Sequence, residues 1–286
     1  MSKALNAMVF TLFCFLVLQG ILLFNIRNSV DAAPVLLKAF ELLEKSAYPR
    51  RYAFFAASHL CLVYRSSQGQ MNPWMKYQVA KMKYLGQAAG DVDYSDGNQR
   101  YFMEDFLTIF TGDQCRMPEQ AEICMRGIDQ LKKVDFWIMQ VAMGVFHIAK
   151  GWQYRGEGHA KSVSREGWRK FEQELDSARR YLTQAYNLHP IYPETSANMI
   201  QIAMAAQDRS GQKQWFMRSV NAQFDYLPAY RNLLWALRSR WGGSHGEMLK
   251  LGIECLNTKR FDTRVPSQFM VALFRIGEDL DNWRAP

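Results

Sequence analysis

From residue 34 onward, apolar residues recur at steps of three and four with polar residues between them, the spacing of helices that each bury one face. The pattern predicts helices over 34–46, 51–66, 73–88, 99–111, 118–131 and 134–152. No run of alternating β-branched residues argues for a sheet. Two polar breaks interrupt the helical spacing: residues 89–98 (AGDVDYSDGN), and Arg155-Gly156-Glu157-Gly158-His159-Ala160.

The most regular stripe follows the second break. Trp168, Phe171, Leu175, Ala178, Leu182 and Ala185 share one helical face, with Ser164 placed to cap its start and Pro190 and Pro193 beyond its end. The spacing Ala178, Leu182, Ala185, Pro190 coincides with the second helix of a tetratricopeptide repeat. Small residues there let antiparallel helices approach, the leucine fills between them, and proline ends the pair. Superposing Pro193 on Pro228, an offset of 35, pairs Tyr181 with Phe216, Leu182 with Met217, Ala185 with Val220, Met199 with Leu234 and Ile202 with Leu237. A looser third unit contains Leu249, Cys255 and Leu256, then Pro266, Phe269, Leu273 and Ile276. Since one helix pair cannot bury its apolar face alone, the pattern implies a stack of pairs.

The N-terminal segment differs. Residues 4–26 carry no charge, a length that spans a bilayer core as a helix. It reads as a membrane anchor or a secretion signal: its length favours an anchor, while Val30-Asp31-Ala32 offers small residues to a signal peptidase. The short N-terminal flank favours an anchored body exported across a bacterial inner membrane, and a cleaved signal would instead leave the body periplasmic or secreted. The expected organisation is residues 1–33 as anchor or signal, 34–152 as a helical region of unassigned type, and 153–286 as tetratricopeptide-like repeats. The expected fold class is all-α, a membrane-spanning or signal helix followed by antiparallel helix pairs of α-solenoid type.

Composition changes this picture little. The 286 residues are 49% hydrophobic, enough for a real core, and carry a net charge of +8. The basic residues are dispersed as short pairs such as Arg50-Arg51 and Lys259-Arg260, which argues against a nucleic-acid interface, although binding of nucleic acid or anionic lipid stands as an alternative. Cys115 and Cys124 are spaced for a local disulfide in an oxidising compartment, or are buried thiols.

One stretch matches a catalytic pattern. Gly242-Gly243-Ser244-His245-Gly246 has the G-x-S-x-G form of serine hydrolases, yet the segment entering it, 230–237, is helical in pattern, and a nucleophile elbow needs a strand there. Ser244 and Glu247 instead make a capping box, with Gly242 and Gly243 ending the helix before it. A hydrolase using Ser244 remains the alternative to a non-catalytic chain. Asp91, Asp93, Ser95 and Gly97 resemble a calcium loop, but the glycine comes one place late and position twelve is Phe102. Gly156 and Gly158 lack the third glycine and preceding strand of a dinucleotide site. Histidines 59, 147, 159, 189 and 245 include no i, i+4 pair, so no zinc site is encoded locally. No metal or cofactor is expected.

Arg155-Gly156-x-Gly158-x-Ala160, Gly167-Trp168-x-x-Phe171, Leu182-x-x-Ala185 with Pro190-x-x-Pro193, and Arg240-Trp241-Gly242-Gly243-Ser244 together resemble an uncharacterised bacterial helical-repeat family, a domain of unknown function. The resemblance covers 152–255 and implies a helical-repeat fold without an assigned catalytic residue. The expected function is a non-catalytic, membrane-anchored scaffold that holds a protein or peptide partner. Asn198, Gln201, Arg231 and Asn232, on the first helices of the pairs, are the candidates for contacting a peptide backbone or carboxylate; for each the alternative is plain solvation.

Overall fold

The computed structural model describes residues 29–66, 71–111, 118–156, 158 and 160–284, and every regular element among them is helical. They divide into two compact units, with the division after Met139.

The first unit contains α1 (Ser29–Glu44), α2 (Arg50–Ser66), α3 (Met71–Gly90), α4 (Gly97–Arg100), α5 (Phe102–Leu107), a 3-10 turn (Thr108–Phe110) and α6 (Pro118–Lys132). Its core joins Leu36, Phe40 and Leu43 of α1 to Phe54 and Leu60 of α2, Leu85 of α3, Phe102 and Phe106 of α5, and Phe110. Phe54 and Phe106 meet edge to face at 4.9 Å. The helix predicted over 99–111 is broken into three pieces. Asp96 caps α4 early by accepting the Asn98 N–H at 2.8 Å, and the Thr108 hydroxyl donates back to the Asp105 carbonyl at 2.7 Å, a bond that bends a helix and here accompanies its tightening to 3-10.

The acidic loop between α3 and α4 serves the backbone. The Asp91 carboxylate accepts the Arg50 and Arg51 N–H groups at the start of α2, and Asp93 accepts the Ser95 N–H and hydroxyl at 2.9 and 2.6 Å. Lys81 of α3 is 3% exposed, with its ammonium donating to the Thr108 hydroxyl at 3.1 Å. Cys124 is buried and its thiol donates to the Ile109 carbonyl; Cys115 lies outside the described residues.

The second unit, from residue 140, holds most of α7 (Phe136–Arg155), then α8 (Arg165–Leu188), α9 (Pro193–Ala205), α10 (Arg209–Ala222), α11 (Leu227–Ala236), α12 (His245–Asn257) and α13 (Gln268–Arg284). The stripe on α8 is buried as its spacing requires: Phe171, Leu175, Ala178 and Leu182 pack with Ile148 of α7 and Met199 and Ile202 of α9, and Ala185 is buried as well. A Cβ on Gly144 of α7 would fall 2.5 Å from the Leu182 side chain, so glycine is what allows α7 and α8 to come together. A second cluster unites Ile200 and Met204 of α9, Phe216 of α10, Leu233 and Leu234 of α11, Met248 and Leu251 of α12 and Ala272 of α13.

The helix pairs of the second unit are consistent with a helical repeat, in a register that differs from the proline alignment. Leu182 is fully buried whereas Met217, its partner at offset 35, is 43% exposed. At offset 34, Ala178, Leu182 and Ala185 align with Gln212, Phe216 and Ser219, all buried, and the ends of α8 and α10 align too. The prolines mislead because Pro193 opens α9 whereas Pro228 is the second residue of α11, and the first turn of a helix tolerates proline at either place.

The expected membrane-spanning helix requires correction. Among the described residues no helix is long and apolar enough to cross a membrane, and every regular element is helical. Residues 4–26, on which that expectation rested, lie outside the described residues. The first described helix begins at Ser29 and carries Pro34 inside it rather than at its start.

Candidate functional site

The turn between α9 and α10 occupies only 206–208, with Asp208 capping α10 by accepting the Gly211 N–H at 2.8 Å. The corresponding turn between α11 and α12 runs over 237–244 and contains a 3-10 turn (Ser239–Trp241). The RWGGS string is this insertion. Gly242 adopts φ +82, a left-handed conformation that favours glycine, and a Cβ on Gly243 would collide with the Leu237 carbonyl. The chain therefore folds back on itself and presents Trp241 to α7.

There the separated motifs meet. Trp241 lies 5.2 Å from Trp152, and the Arg155 guanidinium sits 5.0, 5.8 and 5.9 Å from the ring centroids of Trp241, Trp168 and Trp152. Arg155 is 6% exposed and donates to the Gly156 and Gly158 carbonyls at 3.0 and 2.7 Å. Burial, and secondarily Arg240, hold its pKa below the ordinary arginine value. Cation–π contact with three indoles offsets part of that desolvation. Among the quoted motif residues, Arg155, Gly156, Gly158, Trp168, Arg240 and Trp241 thus belong to one constellation, which staples the C-terminal end of α7 to the long turn.

Ser244 and Glu247 stand beside it as a helix start. The Ser244 oxygen accepts the Glu247 N–H at 3.2 Å, and its hydroxyl donates to the Glu247 carboxylate at 3.1 Å. That carboxylate also takes the Arg209 guanidinium, so it is engaged by side chains where the sequence pattern places it on the Ser244 N–H. His245 turns away toward Asp279 of α13, 3.5 Å from its carboxylate, which is already bound by Arg238. The serine and histidine of the hydrolase-like pattern therefore face different partners.

The four partner-contact candidates fall on α9 and α11. Asn198 donates to the Glu194 carbonyl at 2.9 Å within α9, and Gln201 lies one turn further on, 3.5 Å from the Asn198 side-chain oxygen. Asn232 donates to the Ala197 carbonyl at 2.8 Å, locking α11 beside α9. Arg231 is exposed on α11, and one turn along is Trp235, 39% exposed, with the Arg238 guanidinium 4.5 Å from its ring. The sequence reading missed Trp235; the signal was its i+4 spacing from Arg231 on a helix whose apolar residues otherwise turn inward. Asn198, Gln201, Arg231 and Trp235 thus combine amide, guanidinium and indole groups on neighbouring helices. Among the described residues no group of His, Cys, Asp or Glu side chains could hold a metal ion.

Compared with known proteins, the chain matches no family model and no curated protein. Among solved structures it is similar to an assembly chaperone of RpL4 (Acl4, residues 1–338), with 13% identity, a TM-score of 0.35, and coverage of 94% of this chain and 98% of that one.

Proposed function

We propose that this protein is a non-catalytic helical-repeat scaffold that holds a protein or peptide partner across the face formed by α9 and α11. The observation that carries the reading is the pairing of exposed Arg231 and Trp235 on α11 beside the amide row of α9. Tryptophan and arginine are the residue types that most often dominate binding energy at protein interfaces. Side-chain amides such as those of Asn198 and Gln201 supply the donors and acceptors that an extended peptide backbone needs.

A photo-crosslinking residue at Trp235, compared with one at the exposed Val79 of the first unit, tests this reading in the cell of origin. The expected result is one reproducible adduct from position 235 that is absent from position 79 and is lost on Arg231→Ala. Equal adducts from both positions, or none from 235, would overturn it.

A further inference from the structure

Two guanidinium groups of the second unit are buried, and they differ in what balances their charge. Arg238 is paired with the Asp279 carboxylate. Arg155 is 6% exposed, yet among the described residues no carboxylate pairs with it, and the charge that acts on it is Arg240, also positive. A buried charge without a counter-charge is costly, and contact with indole faces recovers only part of that cost.

The donors of Arg155 are divided. Nη1 donates to the Gly156 and Gly158 carbonyls, which fixes the guanidinium plane. The other edge, Nε and Nη2, has no acceptor among the described residues; Nε is sealed from solvent and Nη2 is not. The Trp241 N–H, on the indole 5.0 Å from the same guanidinium, is also sealed without an acceptor. Buried donors in native structures are satisfied as a rule, so two orphans on neighbouring side chains mark a missing acceptor. Nε and Nη2 offer two parallel N–H groups, the fork that matches the two oxygens of a carboxylate. Trp152, Trp168 and Trp241, each half-buried, surround the guanidinium, and flat rings on several sides favour a planar anion over a tetrahedral one.

We propose that Arg155 and Trp241 form a carboxylate-binding site, in which the Nε and Nη2 edge of Arg155 holds the two oxygens and the Trp241 N–H donates to one of them. The bound carboxylate supplies the charge that the buried guanidinium lacks, and it ties the end of α7 more firmly to the 237–244 turn. A free carboxylate and an acidic side chain of a bound protein share this chemistry, and the test separates them. The site uses neither Arg231 nor Trp235, so it stands apart from the proposed partner face.

The test is a titration of the full-length chain with sodium acetate at constant ionic strength, followed by the proton–nitrogen resonances of arginine Nε–H and tryptophan Nε1–H groups. The two peaks are assigned by their absence in Arg155→Lys and Trp241→Phe. They are expected to shift together and saturate at one midpoint, while the other indole peaks stay in place. Trp241→Phe keeps a ring beside Arg155 and removes the N–H, so the midpoint for the Arg155 peak is expected to rise several-fold in a folded protein. A capped glutamate peptide with a midpoint about tenfold below that of acetate assigns the carboxylate to a bound protein, and equal midpoints assign it to a free ion. Peaks that stay still or move without saturating, or a midpoint unchanged in Trp241→Phe, would overturn the proposal. Glu157 lies outside the described residues, and Glu157→Gln is expected to leave the midpoint unchanged. Tighter acetate binding by that variant would show that the chain fills the site with its own carboxylate, and would overturn the proposal as well.

Discussion

The Arg155 guanidinium lies 5.0 Å from the centroid of Trp241, joining the end of α7 to a turn inserted between α11 and α12. A buried cation depends on its neighbours, so removing either side exposes the cost of desolvating the other. Trp241→Ala is expected to destabilise the second unit by about 2–4 kcal/mol, somewhat less than truncation of a fully buried tryptophan because Trp241 is only partly buried. Arg155→Lys is expected to cost about half as much, since an ammonium cannot lie flat on several indoles while bonding two carbonyls. Chemical denaturation followed by tryptophan fluorescence checks both.

At the helix start, Ser244→Ala removes the acceptor for the Glu247 N–H and is expected to cost about 1 kcal/mol, whereas Ser244→Asp retains the cap and costs little. Neither substitution is expected to change labelling by a fluorophosphonate probe. Labelling that depends on Ser244 would contradict the helix-start assignment. Gly243→Ala is expected to be the most damaging change in the motif, because the new methyl group meets the Leu237 backbone rather than a side chain that can move.

Two buried thiols make a prediction about pH. Burial pushes the Cys61 thiol up to about 12 and that of Cys255 up to about 11. Both therefore remain protonated in the native state across pH 7–9 and react slowly with iodoacetamide. Because the folded values lie above the ordinary 9.0, the unfolded chain loses these protons first. Their contribution to stability is complete below pH 9 and falls as pH rises toward 11–12. Peptide-resolved alkylation is expected to be at least tenfold faster in denaturant than in buffer at pH 8.

Lys81 has the opposite sign. Burial lowers its pKa, with Cys61 and Asp105 only partly compensating, so its charged form weighs against folding at pH below its native pKa. That penalty is relieved as pH rises toward the ordinary lysine value of 10.5. Lys81→Met keeps the packing against Phe54 and removes the ammonium, so the rise in stability of the first unit between the native Lys81 pKa and pH 10.5 is expected to disappear. Thermal unfolding at two pH values in that window, in both proteins, would show it.

The fold was legible where side-chain periodicity alone decides burial. Phe171, Leu175, Ala178, Leu182 and Ala185 could be placed on one buried face from spacing, and Ser164 as the cap, because both follow from local helix geometry. What escaped was set by contacts distant in sequence. The one-residue slip that placed Met217 against Leu182 came from trusting two prolines that occupy different positions in their first turns. Nor does a linear pattern reveal that Arg155, Trp168 and Trp241 converge, since each looks like an unremarkable end of its own element. The candidate face was half legible. Arg231 is exposed as spacing suggests, but Asn232 proved to be a bracket between helices, and Trp235 would have been assigned to the core on hydrophobicity alone.

A stack of similar repeats ordinarily unfolds by fraying, since each unit holds only its immediate neighbours. The insertion over 237–244 breaks that rule by reaching past α8, α9 and α10 to grip the end of α7. The intervening helices are thereby enclosed in a loop with a non-covalent clasp, and opening any one of them strains the clasp. Amide exchange across α7 to α12 would then rise together rather than in sequence from one end, so that the repeats behave as a single cooperative block.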